Sequence, residues 1–117
     1  MTPVHVTSPT VVTGVGDKVI RELVGNVSTG TPSLSVARMS SPPGWDEPAQ
    51  TPEFDEVTVV LEGMVVVEHD GGRIEVGPGE AVLAHAGERV RYSTPDGAEY
   101  VALCVPAFTP ATVHRDK

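Results

Sequence analysis

Several features that would reveal a protein's chemistry directly are scarce in this chain. Cys104 is the only cysteine among 117 residues, which rules out an internal disulfide and fits a reducing compartment. Within an apolar run, a lone thiol reads first as a small buried residue and second as a nucleophile. Basic residues are few: eight against sixteen acidic ones, for a formal charge of -8. That is the wrong sign for neutralising phosphates, so no nucleic-acid partner is expected. The acidic residues are spread along the chain and read as a solubility device. No apolar run approaches the roughly 18 residues of a membrane span. The first fifteen residues lack the basic start and apolar stretch of a secretory signal, so the expected location is cytoplasmic with no membrane partner. Aromatics are also scarce, with one Trp, two Tyr and two Phe. The length suits a single domain spanning residues 1–117.

Glycine and proline, in contrast, are plentiful at 12 and 11 residues. They separate short runs of Val, Ile, Leu and Thr, the pattern of many short strands joined by turns. Strands are predicted at 34–39, 56–62, 64–69, 73–76, 81–85, 89–93 and 99–105. Asp70, Gly71 and Gly72 supply a tight hairpin between the third and fourth of these, with positive φ angles. Residues 17–24 space Val19, Ile20, Leu23 and Val24 as a short helix after an Asp cap would, although a strand reads nearly as well. The proline-rich stretch 41–52 reads as a loop leading into a strand.

Two spaced patterns carry the most information. Gly44, Gln50, Pro52, Glu56 and Gly63 fall on G-x5-H-x-H-x3-E-x6-G with Gln50 and Pro52 in the histidine places. Gly79, His85, Gly87, Val90 and Thr94 fall on G-x5-P-x-G-x2-H-x3-N with Val90 in the third histidine place. With these motifs the chain resembles the cupins. The resemblance implies an all-β, jelly-roll β-barrel whose motif residues converge on its interior. On that reading the barrel core is about 33–108, with an N-terminal arm at 1–32 and a C-terminal tail at 109–117. The stretches PEFDEVTVVLEGMVVV and VGPGEAVLAHAGERVRYSTPDGAEYVALCVPAF are similar to the cupin domain of EutQ-type proteins, which also lack the histidine cluster. Such proteins have been connected with an acetate kinase activity. This chain has no Gly-rich phosphate loop and few basic residues near the motifs, and that activity is not carried over.

Three imidazoles and a carboxylate make a transition-metal site, whereas Gln, Pro, Glu and Val do not, so neither a metal nor another cofactor is expected. Glu56, Thr58 and Val60 share one strand face. The cupin pattern turns that face inward, where a carboxylate must be hydrogen-bonded, coordinated or protonated. Glu56 is therefore the candidate general base, unless it merely bonds Gln50 or a tyrosine. Tyr92 and His85 are the other candidate catalytic residues, His85 having a competing reading as an exposed turn residue. Gln50, Trp45, Glu53, Phe54, Tyr100 and Cys104 are candidates for binding a substrate, and each has core packing or surface polarity as its plainer role. The function these residues suggest is metal-independent acid/base chemistry on a small organic ligand, of isomerase, lyase or cyclase type. The alternative is a non-catalytic binding or pathway-accessory cupin. A homodimer is expected from the resemblance and from the apolar stretch 64–67, whose two faces both need cover.

Overall fold

The computed structural model describes residues 2–117. Its described residues form eight strands: β1 (Thr10–Thr13), β2 (Val19–Val24), β3 (Ser35–Asp46), β4 (Asp55–Gly63), β5 (Val65–His69), β6 (Gly72–Val76), β7 (Ala81–Ala84) and β8 (Val90–Val105). All pairings are antiparallel, in the order β1-β2-β3-β8-β4-β7, with β5 and β6 attached to the other end of β8. This is the all-β, cupin-type jelly roll that the two motifs imply.

The long strands β3 and β8 organise both layers. Residues 35–41 of β3 pair with 98–104 of β8, and residues 43–46 pair with 93–96. The two strands therefore bend together around Pro42, Pro43, Pro95 and Gly97, and β8 pairs with β4 on one side of the bend and with β5 on the other. In β8 the even-numbered residues Val90, Tyr92, Thr94, Ala98, Tyr100, Ala102 and Cys104 are buried and only Asp96, at the bend, is exposed, so the strand's alternation resumes on the same face beyond its bend. Sequence reading divided this strand in two at its Pro-Asp-Gly and took 41–52 for a loop. Backbone pairing overrides both turn signals through residue 46, and the prolines fall where the ladder bends and a missing N–H costs least. The Thr94 hydroxyl donates to the Pro42 carbonyl at 3.0 Å at the same corner.

The helix expected over 17–24 is instead β2, paired to β1 and β3. Its β-branched Val19, Ile20 and Val24 suit a strand, and ladder partners on both sides outweigh the local spacing. The chain before residue 33 is thus part of the sheet. Residues after 108 also dock: Gln50 bridges both Val90 and Arg115, and Val113 is buried. The 65–76 hairpin turns through Asp70 and Gly71, with the positive φ displaced to Gly72 at 142°. Val65, Val66 and Val67 are buried within the one chain, so the apolar stretch that suggested a second subunit is covered without one.

One apolar cluster, including Trp45, Val60, Val65, Val67, Tyr92 and Tyr100, fills part of the interior. A second gathers Phe54, Cys104 and Val113, with Phe108 against them. At the seam between sheets, Gly63 has φ +76°, and a Cβ there would lie 2.1 Å from the Gly97 carbonyl oxygen. Gly63→Ala should therefore cost about 3 kcal/mol in urea unfolding, combining a left-handed backbone with a backbone clash. Gly30 shares the positive φ but has open space around it, so Gly30→Ala should cost only about 1 kcal/mol. Equal costs for the two variants would show that the close approach at Gly63 is unimportant.

Candidate functional site

The cavity lies between the two apolar clusters. Cross-strand register builds its wall in rows: Glu56 faces Cys104 and Thr58 faces Ala102 across β4 and β8, while Ser35 faces Cys104 and Ala37 faces Ala102 across β3 and β8. Most of these wall residues are small, which leaves space where larger side chains would have closed the core. The cavity volume is about 50 Å³, and it opens toward solvent. Phe54 and Phe108 meet edge to face, centroids 5.8 Å apart, on the same lining.

Six of the nine residues singled out from sequence come together here: Glu56, Tyr92, Gln50, Phe54, Tyr100 and Cys104 all line the cavity. Gln50 is fixed by backbone hydrogen bonds with Val90 in both directions, at 2.8 and 2.9 Å. Its side-chain Nε2 donates to Glu56 Oε1 at 3.5 Å, a long and weak bond. The Tyr100 hydroxyl is engaged with Ser41 Oγ at 2.9 Å. The buried Tyr92 hydroxyl makes no hydrogen bond of normal length among the described residues, and its polar neighbour is the Glu56 carboxylate, toward which it makes a longer hydrogen-bonding approach that affects the titration of both groups.

The other three are placed elsewhere. Trp45 is buried in the neighbouring cluster with its indole N–H donated to the Val15 carbonyl at 2.7 Å. Glu53 is exposed and pairs with His114. His85 is the clear correction to the candidate catalytic set. Ala84 faces inward opposite Glu56, and the next residue emerges into an exposed turn where the His85 N–H is held by Glu88 at 2.9 Å. A histidine there has no path to the cavity.

Sequence reasoning missed Lys18, Glu47 and Arg115, all on the cavity lining. Lys18 comes from the β1–β2 turn, with its Nζ 4.7 Å from the Trp45 ring centroid and 5.7 Å from that of Tyr100. Glu47 follows β3 and is 4% exposed. Arg115 reaches in from the C-terminal segment, its Nε 3.8 Å from Glu47 Oε2. Lys18 and Arg115 carry no motif signal. Glu47 lies inside the first motif, at a position where the pattern accepts any residue.

Glu56 is half-buried by its surface and lines the cavity, with its carboxyl surrounded by protein atoms. Burial raises its pKa above the ordinary value; Lys18 opposes this, the negative charge of Glu47 reinforces it, and Tyr92 and Arg115 oppose it more weakly. Burial likewise raises Glu47 against the pull of Lys18 and Arg115. The Tyr92 hydroxyl is pushed up by burial and then by Glu56, so it stays protonated as a hydrogen-bond donor. Cys104 is also pushed up, by burial first and Glu56 next. Its protonated thiol acts as wall, not as nucleophile.

The metal site of histidine-bearing cupins does not fit these residues. Gln50, Pro52 and Val90 stand in the imidazole places, and among the described residues no group of three or more His, Cys, Asp or Glu side chains is arranged to hold a cation.

An acid whose pKa is raised by folding binds its proton more tightly in the folded chain. The associated stability is full below the ordinary glutamate value and is lost as pH rises through the folded value. Glu56→Gln should therefore melt at the same temperature as the parent near pH 4 and several degrees higher near pH 8. A difference independent of pH would contradict a raised Glu56.

Comparison with known proteins agrees with this architecture. Endoribonuclease YbeY of Myxococcus xanthus is 47% identical over 102 residues, covering 85% of this chain and 34% of that protein. The chain spans about a third of the length of the curated relatives it matches. The solved EutQ protein of Clostridium difficile superposes with a TM-score of 0.64 at 22% identity, over 78% of this chain and 65% of that one. A Streptomyces PAC13 variant with a tyrosine changed to phenylalanine, solved with uridine, superposes with a TM-score of 0.79 at 18% identity, over 100% of this chain and 93% of that one. At these identities the solved structures share the fold. The AraC-binding-like domain matches residues 23–116, and the chain belongs to that family.

Proposed function

We propose that the chain is a metal-independent cupin that binds a small organic molecule in its cavity and acts on it by proton transfer, with Glu56 as general base. One observation carries the reading: a carboxyl whose pKa is raised by burial shares a cavity with a buried Tyr92 hydroxyl that makes no hydrogen bond of normal length to the protein and has that carboxyl as its polar neighbour. A raised carboxyl accepts and returns a proton near neutral pH more evenly than a free one. Glu56 takes a proton from the ligand, Tyr92 donates a hydrogen bond to the oxygen on which charge develops, and Glu56 returns the proton at the same or a neighbouring atom. That sequence is an isomerisation. In a lyase the bond to the neighbouring leaving group breaks and Glu56 returns the proton to that group. In a cyclase the deprotonated atom bonds to an unsaturated carbon of the same ligand and the proton goes to the other end of that double bond. None of these needs a redox partner. The fold is shared with PAC13, which was solved with uridine.

The test starts from the small molecule that co-purifies with the protein, identified by mass spectrometry and then followed during incubation. Glu56→Gln should bind it within a few-fold of the parent and convert it about 10²–10⁴-fold more slowly. Full conversion by Glu56→Gln would remove Glu56 from the reaction.

A second reading, binding without turnover, is favoured by the match to a third of the length of Myxococcus xanthus YbeY. Such a match suits a module carried within a longer protein. On this reading the ligand is recovered unchanged from both parent and variant.

The proposed assembly is a homodimer, now on different grounds from the sequence argument. Val59, Leu61, Leu83 and Val105, on neighbouring strands β4, β7 and β8, are 37–52% exposed and form an apolar outer face of the kind that dimers bury. Light scattering at micromolar concentration should give twice the chain mass, and Val59→Glu with Leu83→Glu should halve it. A monomeric parent would defeat the proposal. A cytoplasmic location and the lack of a nucleic-acid partner are proposed on composition, and among the described residues no helix is long and apolar enough to cross a membrane.

A further inference from the structure

Beyond Glu56, the cavity holds a second set of polar groups that the proposed proton transfer does not use. The Glu47 side chain is 3% exposed and Arg115 reaches it from the C-terminal segment. Glu47 Oε2 and Arg115 Nε are both buried without a protein hydrogen-bond partner. They lie 3.8 Å apart, beyond direct hydrogen-bonding distance. Neither atom is accessible to water, so an oxygen about 2.8 Å from each enters the gap only when the 31% exposed Arg115 side chain shifts outward. The loss of hydration at two buried polar atoms is costly unless a partner restores it.

From this pair we infer that Glu47 and Arg115 form a subsite for an uncharged alcohol hydroxyl of the ligand, the hydroxyl donating to Glu47 Oε2 and accepting from Arg115 Nε. The inference deepens the proposed function and rests on the cavity being a ligand site. The choice of group follows from the pair's own chemistry. An ammonium donates to Glu47 but cannot accept from Arg115, and a carboxylate accepts from Arg115 but is repelled by Glu47. A hydroxyl does both with one atom. The wider lining leads the same way when its acids are ionised, because two cations, Lys18 and Arg115, then face three carboxylates, Glu22, Glu47 and Glu56, leaving no surplus positive charge to favour an anionic ligand. Glu22 is already engaged by the N–H groups of Val27 and Ser28, at 3.1 and 2.7 Å, which leaves Glu47 as the acid with a free acceptor. The Glu47–Arg115 pair thus sets specificity, while Glu56 is left to the reacting atom.

The test uses three small probes of similar size, 1,2-propanediol, propionate and propylammonium, each titrated at millimolar concentration against the purified full chain. The Arg115 Nε–H resonance in a proton–nitrogen NMR spectrum is the readout. The diol should shift it saturably, at concentrations at least tenfold below those at which either ion does. Glu47→Ala should abolish the response, and Glu56→Gln should retain it. If Glu47→Ala does not fold, Arg115→Leu with the Glu47 side-chain carboxyl carbon as reporter tests the same pair. An equal or stronger response to propionate or to propylammonium would overturn the inference in favour of an ion site. No response to the diol would overturn it in favour of a pair bridged by water alone. Either failure leaves the role of Glu56 intact, because that role is read from conversion of the co-purified molecule and not from probe binding.

Discussion

The β3–β8 ladder runs unbroken in direction from the pair Ser35 and Cys104 to the pair Asp46 and Ser93, and nearly every other feature of the molecule hangs on it. Because two long strands stay paired while both bend, the inward row of β8 supplies Cys104, Ala102 and Tyr100 to one sheet and Tyr92 to the other. The cavity is the space between those two stretches. A one-residue slip in this ladder would turn the inward row out to solvent. The close approach of Gly63 to Gly97 beside the bend shows how little tolerance the seam has.

With that frame fixed, small side chains and buried charge compete for the interior. Ala37, Ala102, Ser35 and Cys104 leave room, and the room is lined by three carboxylates, two cations and two tyrosines. An apolar filling would give a more stable barrel, since buried ionisable groups seldom recover their desolvation cost. Glu56 and Glu47 meet that cost by holding their protons more tightly, and Tyr92 by remaining a neutral donor. Polar groups kept at such a cost, inside a cavity with a mouth, favour a site over a relic of one.

Much of this was legible in the sequence because it is written in periods and glycine spacings. The motif glycines gave the jelly roll. Strand alternation gave the shared face of Glu56 and Thr58. What escaped depends on pairing between distant segments. Residues 17–24 read as a helix by their own spacing and became a strand because β1 and β3 flank them. His85 looked central by its motif position, yet β7 ends one residue earlier and turns it outward. Lys18 and Arg115 enter the cavity from the two ends of the chain, and no local pattern marks a residue that acts so far from its own segment. Val65, Val66 and Val67 misled for a related reason: the cover that their two faces need comes from this chain's own strands.

Acid/base chemistry in this cavity requires a Glu56 whose carboxyl is governed by burial and not by its cationic neighbours. Following the Glu56 side-chain carboxyl carbon by NMR through a pH titration, assigned against Glu56→Gln, measures that balance directly. The midpoint should lie above the ordinary glutamate value of 4.5, because desolvation outweighs the opposing charge of Lys18. A midpoint at or below 4.5 would mean that Lys18, Arg115 and Tyr92 stabilise the carboxylate more than burial disfavours it, and would contradict the central claim.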